Sequence, residues 1–254
     1  SIMTNKYIYF IANWKMFGNL GTLNSLDRVI KFTKNNRKNK FKIIYCPPST
    51  LIRPLSKRFK KTKLDVGAQN CHENENYGAF TGHVNSKMLK NVGAKYVILG
   101  HSENRADGEE DSLINKKIKV ALKNNLKIIF CIGETLKQRK NKQTHLTLSN
   151  QIKKGLKGVK NYKNIIIAYE PIWSIGTGII LETELLKKIM KFIKSSFKKQ
   201  NKLTLNYPKF LYGGSVSPNN IKTLREIENI DGFLVGGASQ DPKKFIDIIK
   251  KTFN

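Results

Sequence analysis

Cysteine and histidine are both scarce in this sequence, with three and four of them among 254 residues. Cys46, Cys71 and Cys131 are odd in number and irregularly spaced, which argues against a disulfide framework and favours a reducing cytoplasm. No C-x-x-C pair occurs, and the histidines are too few for an obvious zinc site. These shortages exclude a small disulfide-stapled domain and make a zinc protein a poor interpretation.

Long apolar runs, linkers and low-complexity segments are missing as well. No apolar stretch approaches the roughly 20 residues of a membrane span, and the N-terminus lacks a signal-peptide pattern. Ser1 and Ile2 precede Met3 and are interpreted as a cloning remnant. With 39% hydrophobic and 26% charged residues, the chain can form a sizeable core, and we expect a single domain over residues 3–254.

Acidic side chains are also few, 18 against 47 lysines and arginines, which gives a net charge of +29. Such a charge suggests nucleic acid or an anionic membrane as a partner. However, the excess is mostly lysine and is spread along the whole chain, with clusters such as residues 34–40 between periodic segments. Compositional bias explains it better than a binding groove, so we expect no dedicated nucleic-acid or membrane partner. The charge can still steer an anionic substrate.

Eight short apolar runs recur along the chain, about one per 32 residues, which is the length of one βα unit. The runs are Tyr7 to Ala12, Lys42 to Cys46, Leu64 to Ala68, Tyr96 to Leu99, Lys127 to Ile132, Ile165 to Tyr169, Lys209 to Tyr212 and Gly232 to Val235. Amphipathic segments such as Leu113 to Leu122 lie between them, and Ser217-Pro218 and Asp241-Pro242 predict helix starts. The pattern predicts an α/β fold, a single (β/α)8 barrel with a closed parallel eight-stranded sheet. A doubly wound open sheet is the alternative, but no G-x-G-x-x-G follows the first run.

Small or polar residues follow each predicted strand, at the face where parallel barrels carry their active sites. They are Asn13 and Lys15, Cys46-Pro47-Pro48, Gln69-Asn70, Gly100-His101, Gly133-Glu134, Glu170, Gly213-Gly214-Ser215 and Gly236-Gly237. A lysine, a histidine, a glutamate and two Gly-Gly turns are therefore expected around one opening. The glycine turns after the last two strands predict a phosphate site.

The stretch Tyr169 to Gly178 combines several functional features. Glu170 ends a buried strand and is a candidate base, while Pro171 stops the strand from continuing. Trp173 is a bulky anchor, and the Gly-Thr-Gly segment from Gly176 can bring backbone N–H groups close to an anion. The alternative is an ordinary strand-to-helix turn with one solvated glutamate.

Seven short motifs are distributed along nearly the whole chain. They are Ala12-Asn13-Trp14-Lys15-Met16, Gly78-Ala79-Phe80-Thr81-Gly82, Gly100-His101-Ser102-Glu103, Cys131-Ile132-Gly133-Glu134, Ala168-Tyr169-Glu170-Pro171-Ile172-Trp173-Ser174-Ile175-Gly176-Thr177-Gly178, Leu211-Tyr212-Gly213-Gly214-Ser215-Val216 and Leu234-Val235-Gly236-Gly237-Ala238-Ser239. In their order and spacing, these motifs make the chain resemble the triosephosphate isomerase family. The resemblance implies a TIM barrel that interconverts dihydroxyacetone phosphate and D-glyceraldehyde 3-phosphate in glycolysis and gluconeogenesis.

The resemblance also implies a role for each site residue, without a metal or organic cofactor. Glu170 would move the proton between the two carbons, His101 would polarise the carbonyl as a neutral imidazole, and Lys15 and Asn13 would bind substrate. Ser102 and Glu103 would support them. Phosphate would be held by Gly176, Ser215, Gly236 and Gly237, and the lid would comprise Pro171, Ile172, Trp173, Ser174, Ile175, Gly176, Thr177 and Gly178.

The family's dimer also has a counterpart here, with differences. Gly78, Ala79, Phe80, Thr81 and Gly82 resemble the loop that inserts beside the neighbour's Lys15, so we expect a homodimer. The family usually has a glutamate where His83 stands and an arginine where Asn104 stands, and those two charges normally pair across the interface. The trailing end of the lid, Ile179-Ile180-Leu181, is also bulkier than usual, which predicts an altered rate of lid opening.

Two rival functions remain from the residues themselves. Another phosphate-handling barrel, such as a sugar- or amino-acid-pathway isomerase, would share the glycine turns but has no reason to carry Lys15, His101 and Glu170 together. A basic nucleic-acid-binding protein built on an inactive barrel would explain the charge but not these three residues.

Overall fold

Eight parallel strands close into a barrel in the structure, a computed structural model that describes residues 6–174, 182–204 and 206–254. The strands are β1 Ile8–Asn13, β2 Phe41–Cys46, β3 Leu64–Ala68, β4 Tyr96–Leu99, β5 Lys127–Ile132, β6 Ile165–Tyr169, β7 Lys209–Tyr212 and β8 Gly232–Val235. They neighbour one another in chain order, and β1 pairs in parallel with both β2 and β8. The predicted closed barrel is therefore confirmed, because an open sheet would leave the first and last strands unpaired. Only the first two strands differ in bounds from the prediction: β1 is shifted by one residue at both ends, and β2 begins one residue earlier.

Helices lie between the strands throughout the described ranges. They are α1 Asp27–Asn35, α2 Ser49–Arg58, α3 Ser86–Asn91, α4 Ser102–Ala106, α5 Asp111–Lys123, α6 Leu136–Lys140, α7 Thr144–Gly155, α8 Thr183–Gln200, α9 Ile221–Leu224 and α10 Pro242–Phe253. The segment predicted from helical spacing lies within α5. No helix in these ranges is long and apolar enough to cross a membrane.

The strands read as continuous apolar runs because both of their faces are buried. Successive side chains of a strand point to opposite sides. In β5, Ile129 and Cys131 belong to the cluster inside the barrel, while Ile128, Phe130 and Ile132 pack in the layer under the helices. Neither face needs polar residues, so polar side chains concentrate at the strand ends, where the site forms.

One of the two predicted helix starts is correct. The Asp241 side chain accepts hydrogen bonds from the backbone N–H groups of Lys243 and Lys244, and Pro242 is the first residue of α10. No helix begins at Pro218, however, since α9 starts at Ile221. The Asn220 amide accepts from the Ser217 N–H at 2.9 Å and donates to the Ser215 carbonyl at 2.8 Å, so the chain forms a turn there first.

Candidate active site

A cavity of about 270 Å³ opens at the carboxyl ends of the strands. Seven of the residues predicted from sequence line it together: Asn13, Lys15, His101, Glu170, Ser215, Gly236 and Gly237. They come from β1, β4, β6, β7 and β8 or the turns after them, which places distant parts of the chain around one opening. Gly176, the rest of the predicted lid from Ile175 to Gly178, and the hinge Ile179 to Leu181 lie outside the described residues.

Lys15 has a backbone conformation that is rare for a residue with a side chain. Its φ is 56°, in the left-handed region, which costs roughly 1–2 kcal/mol for a residue with a Cβ. Two hydrogen bonds offset this cost: the Lys15 N–H donates to Asn13 Oδ1 at 3.0 Å, and Gln69 Nε2 donates to the Lys15 carbonyl at 2.8 Å. The conformation lets the ammonium reach back over the barrel mouth, where it pairs with Glu103 at 2.8 Å.

The contact between His101 and Glu170 lies at the centre of the site. Nε2 of His101 lies 2.9 Å from Oε2 of Glu170, and both side chains are almost completely buried. The backbone N–H of Ser102 approaches Oε1 of Glu170 at 3.4 Å. In this state the carboxylate is held by the histidine and the start of α4, so it must turn away from them to reach a substrate carbon.

The other nitrogen of the ring shows which tautomer is present. Nδ1 of His101 accepts a hydrogen bond from the Glu103 N–H at 3.1 Å, so in the neutral imidazole the proton is on Nε2. Burial alone would lower the pKa of His101, but the charge and hydrogen bond of Glu170 outweigh it and raise the pKa above its ordinary value. The ring is therefore an Nε2–H donor whose proton affinity depends on where Glu170 is.

Glu170 is positioned by close backbone contacts on the neighbouring strands. Its N–H donates to the Ile132 carbonyl at 2.7 Å. A Cβ at Gly133 would lie only 1.8 Å from the Glu170 carbonyl oxygen, so no other residue fits at that position. The buried Cys131 thiol also contacts Glu170, and burial first, then this carboxylate, raises the thiol pKa. Cys131 is therefore present as a neutral thiol.

The opposite end of the cavity is made of backbone. A Cβ at Gly214 would lie 2.1 Å from the Tyr212 hydroxyl, whereas one at Gly237 would meet nothing within 4 Å. A short 3₁₀ helix, Gly237–Gln240, begins two residues after the end of β8. Ser215 faces the cavity, and its hydroxyl donates to the Ser174 carbonyl at 2.5 Å. This is a concave wall of small residues and N–H groups, suited to an oxyanion.

Several supporting residues were missed by the sequence reasoning. Lys117 is buried on α5 and contacts Glu109, and its ammonium donates to Asn70 Oδ1 at 3.1 Å. Burial lowers the pKa of this lysine. Arg105 donates to the carbonyls of Gly100 and Cys131 and so joins the ends of β4 and β5. Lys117 could have been found, because it interrupts the apolar face of α5 formed by Ile114, Ile118 and Ala121.

A second hollow lies beside Lys15, with a volume of about 690 Å³. Lys15, Met16, His83 and Asn104 are among the residues that line it. The predicted dimer loop, residues 78–82, stands exposed next to it, and the Phe80 ring packs on His72 with centroids 4.3 Å apart. His83 also contacts the His72 ring, at 4.8 Å. Thus both unusual positions, His83 and Asn104, face the same hollow.

Comparisons with known proteins agree on one family. The family model described as triosephosphate isomerase matches residues 8–252. A triosephosphate isomerase of Thermodesulfovibrio yellowstonii is 43% identical over 250 residues, covering 98% of this chain and 100% of the relative, and that of Aquifex aeolicus is 40% identical over 241 residues, covering 94% and 96%. The crystal structure of triosephosphate isomerase from Bartonella henselae superimposes with a TM-score of 0.88 at 31% identity, covering 97% of this chain and 99% of that one.

Proposed function

Since this chain belongs to the triosephosphate isomerase family, we propose that Glu170, His101 and Lys15 are the residues that carry out its reaction. The enzyme interconverts dihydroxyacetone phosphate and D-glyceraldehyde 3-phosphate in glycolysis and gluconeogenesis. One observation carries the assignment of residues: a buried carboxylate and a buried Nε2–H lie 2.9 Å apart in a cavity that also contains a lysine.

Glu170 acts as the base. When triose phosphate enters the cavity, the Glu170 carboxylate leaves its contacts with His101 and the Ser102 N–H and moves to the substrate. It takes a proton from the carbon next to the carbonyl, which leaves an enediolate, and returns that proton to the neighbouring carbon. A positioned base of this kind typically contributes about 10²–10⁴-fold in rate.

His101 and Lys15 stabilise the oxygen atoms while the carbon proton moves. The Nε2–H of neutral His101 donates to the carbonyl oxygen and shuttles protons between the two oxygens. Because Nδ1 is occupied by the Glu103 N–H, the ring donates from Nε2. The Lys15 ammonium lies over the same mouth and counters the negative charge of the enediolate, and Asn13 fixes the lysine backbone.

The phosphate group binds at the glycine-rich wall. The backbone near Ser215, Gly236 and Gly237 offers N–H groups to its oxygens, and Gly176 from the lid completes the grip. An enediolate phosphate in water can expel its phosphate, so the lid must also exclude solvent. Pro171 to Ser174 form the leading part of that lid, and the bulky Ile179 to Leu181 segment alters its opening rate.

The test of the base is a coupled isomerase assay on D-glyceraldehyde 3-phosphate. We expect Glu170→Gln to lower kcat by about 10²–10⁴-fold, because the amide cannot accept the proton from the substrate carbon. Glu228→Gln, at an exposed carboxylate far from the cavity, should leave kcat unchanged. Turnover that Glu170→Gln leaves intact would remove Glu170 from the mechanism.

The enzyme works as a homodimer in which residues 78–82 of one copy fill the hollow beside Lys15 of the other. The exposed loop and the 690 Å³ hollow support this arrangement. We expect sedimentation at micromolar concentration to give a dimer, and Phe80→Asp to produce monomers with lower kcat, because Lys15 would lose its neighbour. Ser25→Asp, on the exposed surface elsewhere, should remain dimeric. A wild-type monomer with full activity would contradict the proposal.

Residues 3–254 form one domain. The enzyme is located in the cytoplasm. The three cysteines are free and buried, which fits a reducing compartment.

A further inference from the structure

A groove of about 790 Å³ runs along the outside of the barrel between α1 and α10. It shares no lining residue with the active-site cavity. Its lining spans Lys243 to Lys250 on α10, about 10 Å along a helix at 1.5 Å per residue. About two turns of a docked helix would match this length.

The rim of the groove carries uncompensated positive charge. Five exposed basic side chains line it: Arg28, Lys31, Lys243, Lys244 and Lys250. Among the residues that the structure describes, none of these five side chains lies within ion-pair distance of a carboxylate. Five of the chain's basic side chains therefore surround one concave feature.

The two carboxylates of the groove are already engaged. Asp241 accepts the backbone N–H groups at the start of α10, and Asp247 lies 3.4 Å from the Lys251 ammonium. They reduce the positive charge locally without pairing with any of the five rim cations. A groove with this reduced positive charge is better matched to the carboxylates of a peptide, which are spaced along a chain, than to a polyphosphate, whose negative charges are close together.

The floor of the groove is apolar. Phe32 and Ile246 form it, each 7% exposed, and the Lys250 ammonium lies 6.0 Å from the Phe32 ring centroid. An occupant therefore needs two properties together: acidic groups for the rim and apolar side chains for the floor. An amphipathic helix with acidic flanks has both, since its apolar side chains recur every three to four residues along one face.

We propose that this groove docks an acidic amphipathic helical segment of a partner protein. The rim cations pair with its carboxylates, and its apolar face covers Phe32 and Ile246. Binding there leaves the active-site cavity open, so the segment would tether the isomerase to the partner without blocking turnover.

The experiment measures fluorescence anisotropy of a labelled peptide of about 16 residues, with leucine at helical i, i+3, i+4 and i+7 positions and glutamate on the flanks. The groove variant is Lys31→Glu, Lys244→Glu and Lys250→Glu together. The control, Lys116→Glu, Lys153→Glu and Lys188→Glu, changes the net charge equally at exposed lysines elsewhere. The isomerase kcat of both variants at saturating substrate checks folding and should match the wild type.

We expect the groove variant to weaken peptide binding by about tenfold or more and the control variant by less than about threefold. Ile246→Ala should weaken it a few-fold with no change of charge, and a peptide with the same residues in scrambled order should bind less tightly. Equal losses in both charge variants, or equal binding of the scrambled peptide, would overturn the proposal. So would an RNA oligonucleotide or tripolyphosphate that binds at the groove in preference to the peptide.

Discussion

At His101 a single backbone hydrogen bond selects the nitrogen that carries the proton. The Glu103 N–H occupies Nδ1, which leaves Nε2 as the donor toward Glu170 or substrate. The charge on the ring is then controlled by Glu170, whose carboxylate raises the His101 pKa against the effect of burial. When Glu170 turns to the substrate, this effect weakens, and burial favours the neutral imidazole that the reaction needs.

Removing the carboxylate should therefore lower the pKa of His101. In Glu170→Gln we expect a pKa below that of the wild type, because the charge that favours imidazolium is gone while burial remains. An NMR titration of the ring nitrogens without substrate measures it, with Glu226→Gln as an exposed control. An unchanged or higher pKa would mean that Glu170 does not control this proton.

Among the elements, α5 carries a charge into a buried layer. Lys117 lies on its apolar face with only 6% of its surface exposed, beside Glu109 and Asn70. A buried ammonium without its partner is costly, since nothing replaces the water that it lost. These contacts connect α5 with the segment before it and with the end of β3. They lie next to the hollow that the dimer loop of a second copy would fill.

Breaking this contact should destabilise the protein. We expect Glu109→Gln to lower the free energy of unfolding by about 3 kcal/mol, a typical loss when one partner of a buried pair is removed. Urea denaturation measures it, and Glu110→Gln, at the exposed neighbour, should cost much less. Equal stability of the two variants would show that Lys117 is not dependent on Glu109.

The strands were predicted well from the sequence, because a single physical rule, the burial of apolar side chains, determines where they lie. Both faces of each strand are buried, so the apolar runs matched the strands almost residue for residue. The helix start at Ser217-Pro218 was wrong because Asn220 forms competing local hydrogen bonds. The left-handed backbone at Lys15 was not predictable, since it depends partly on Gln69, which is distant in sequence.

For the whole molecule, the net charge of +29 has a consequence for substrate capture. The substrate carries a phosphate, and only 18 acidic residues offset 47 basic ones. Such a field raises the rate at which anions reach the cavity. The effect is long-ranged, so salt screens it without changing the chemistry inside the site.

We therefore expect kcat/KM for D-glyceraldehyde 3-phosphate to fall as ionic strength rises from about 0.01 M to 0.15 M, because the Debye length shrinks from about 30 Å to about 8 Å. The kcat at saturation should change little. D-Glyceraldehyde, which lacks the phosphate, provides the control, and its kcat/KM should not depend on ionic strength. Identical salt dependence for the two substrates would rule out steering.

The pairing of β1 with β8 also has a consequence for how the chain is made. On the ribosome, β1 emerges first and must wait for nearly all of the remaining chain before its second neighbour exists. At about 5–20 residues per second, this wait lasts on the order of tens of seconds. During that time one edge of an apolar strand is open to other chains. Nascent chains are therefore most prone to aggregate just before β8 emerges, when seven strands are present and the barrel is still open.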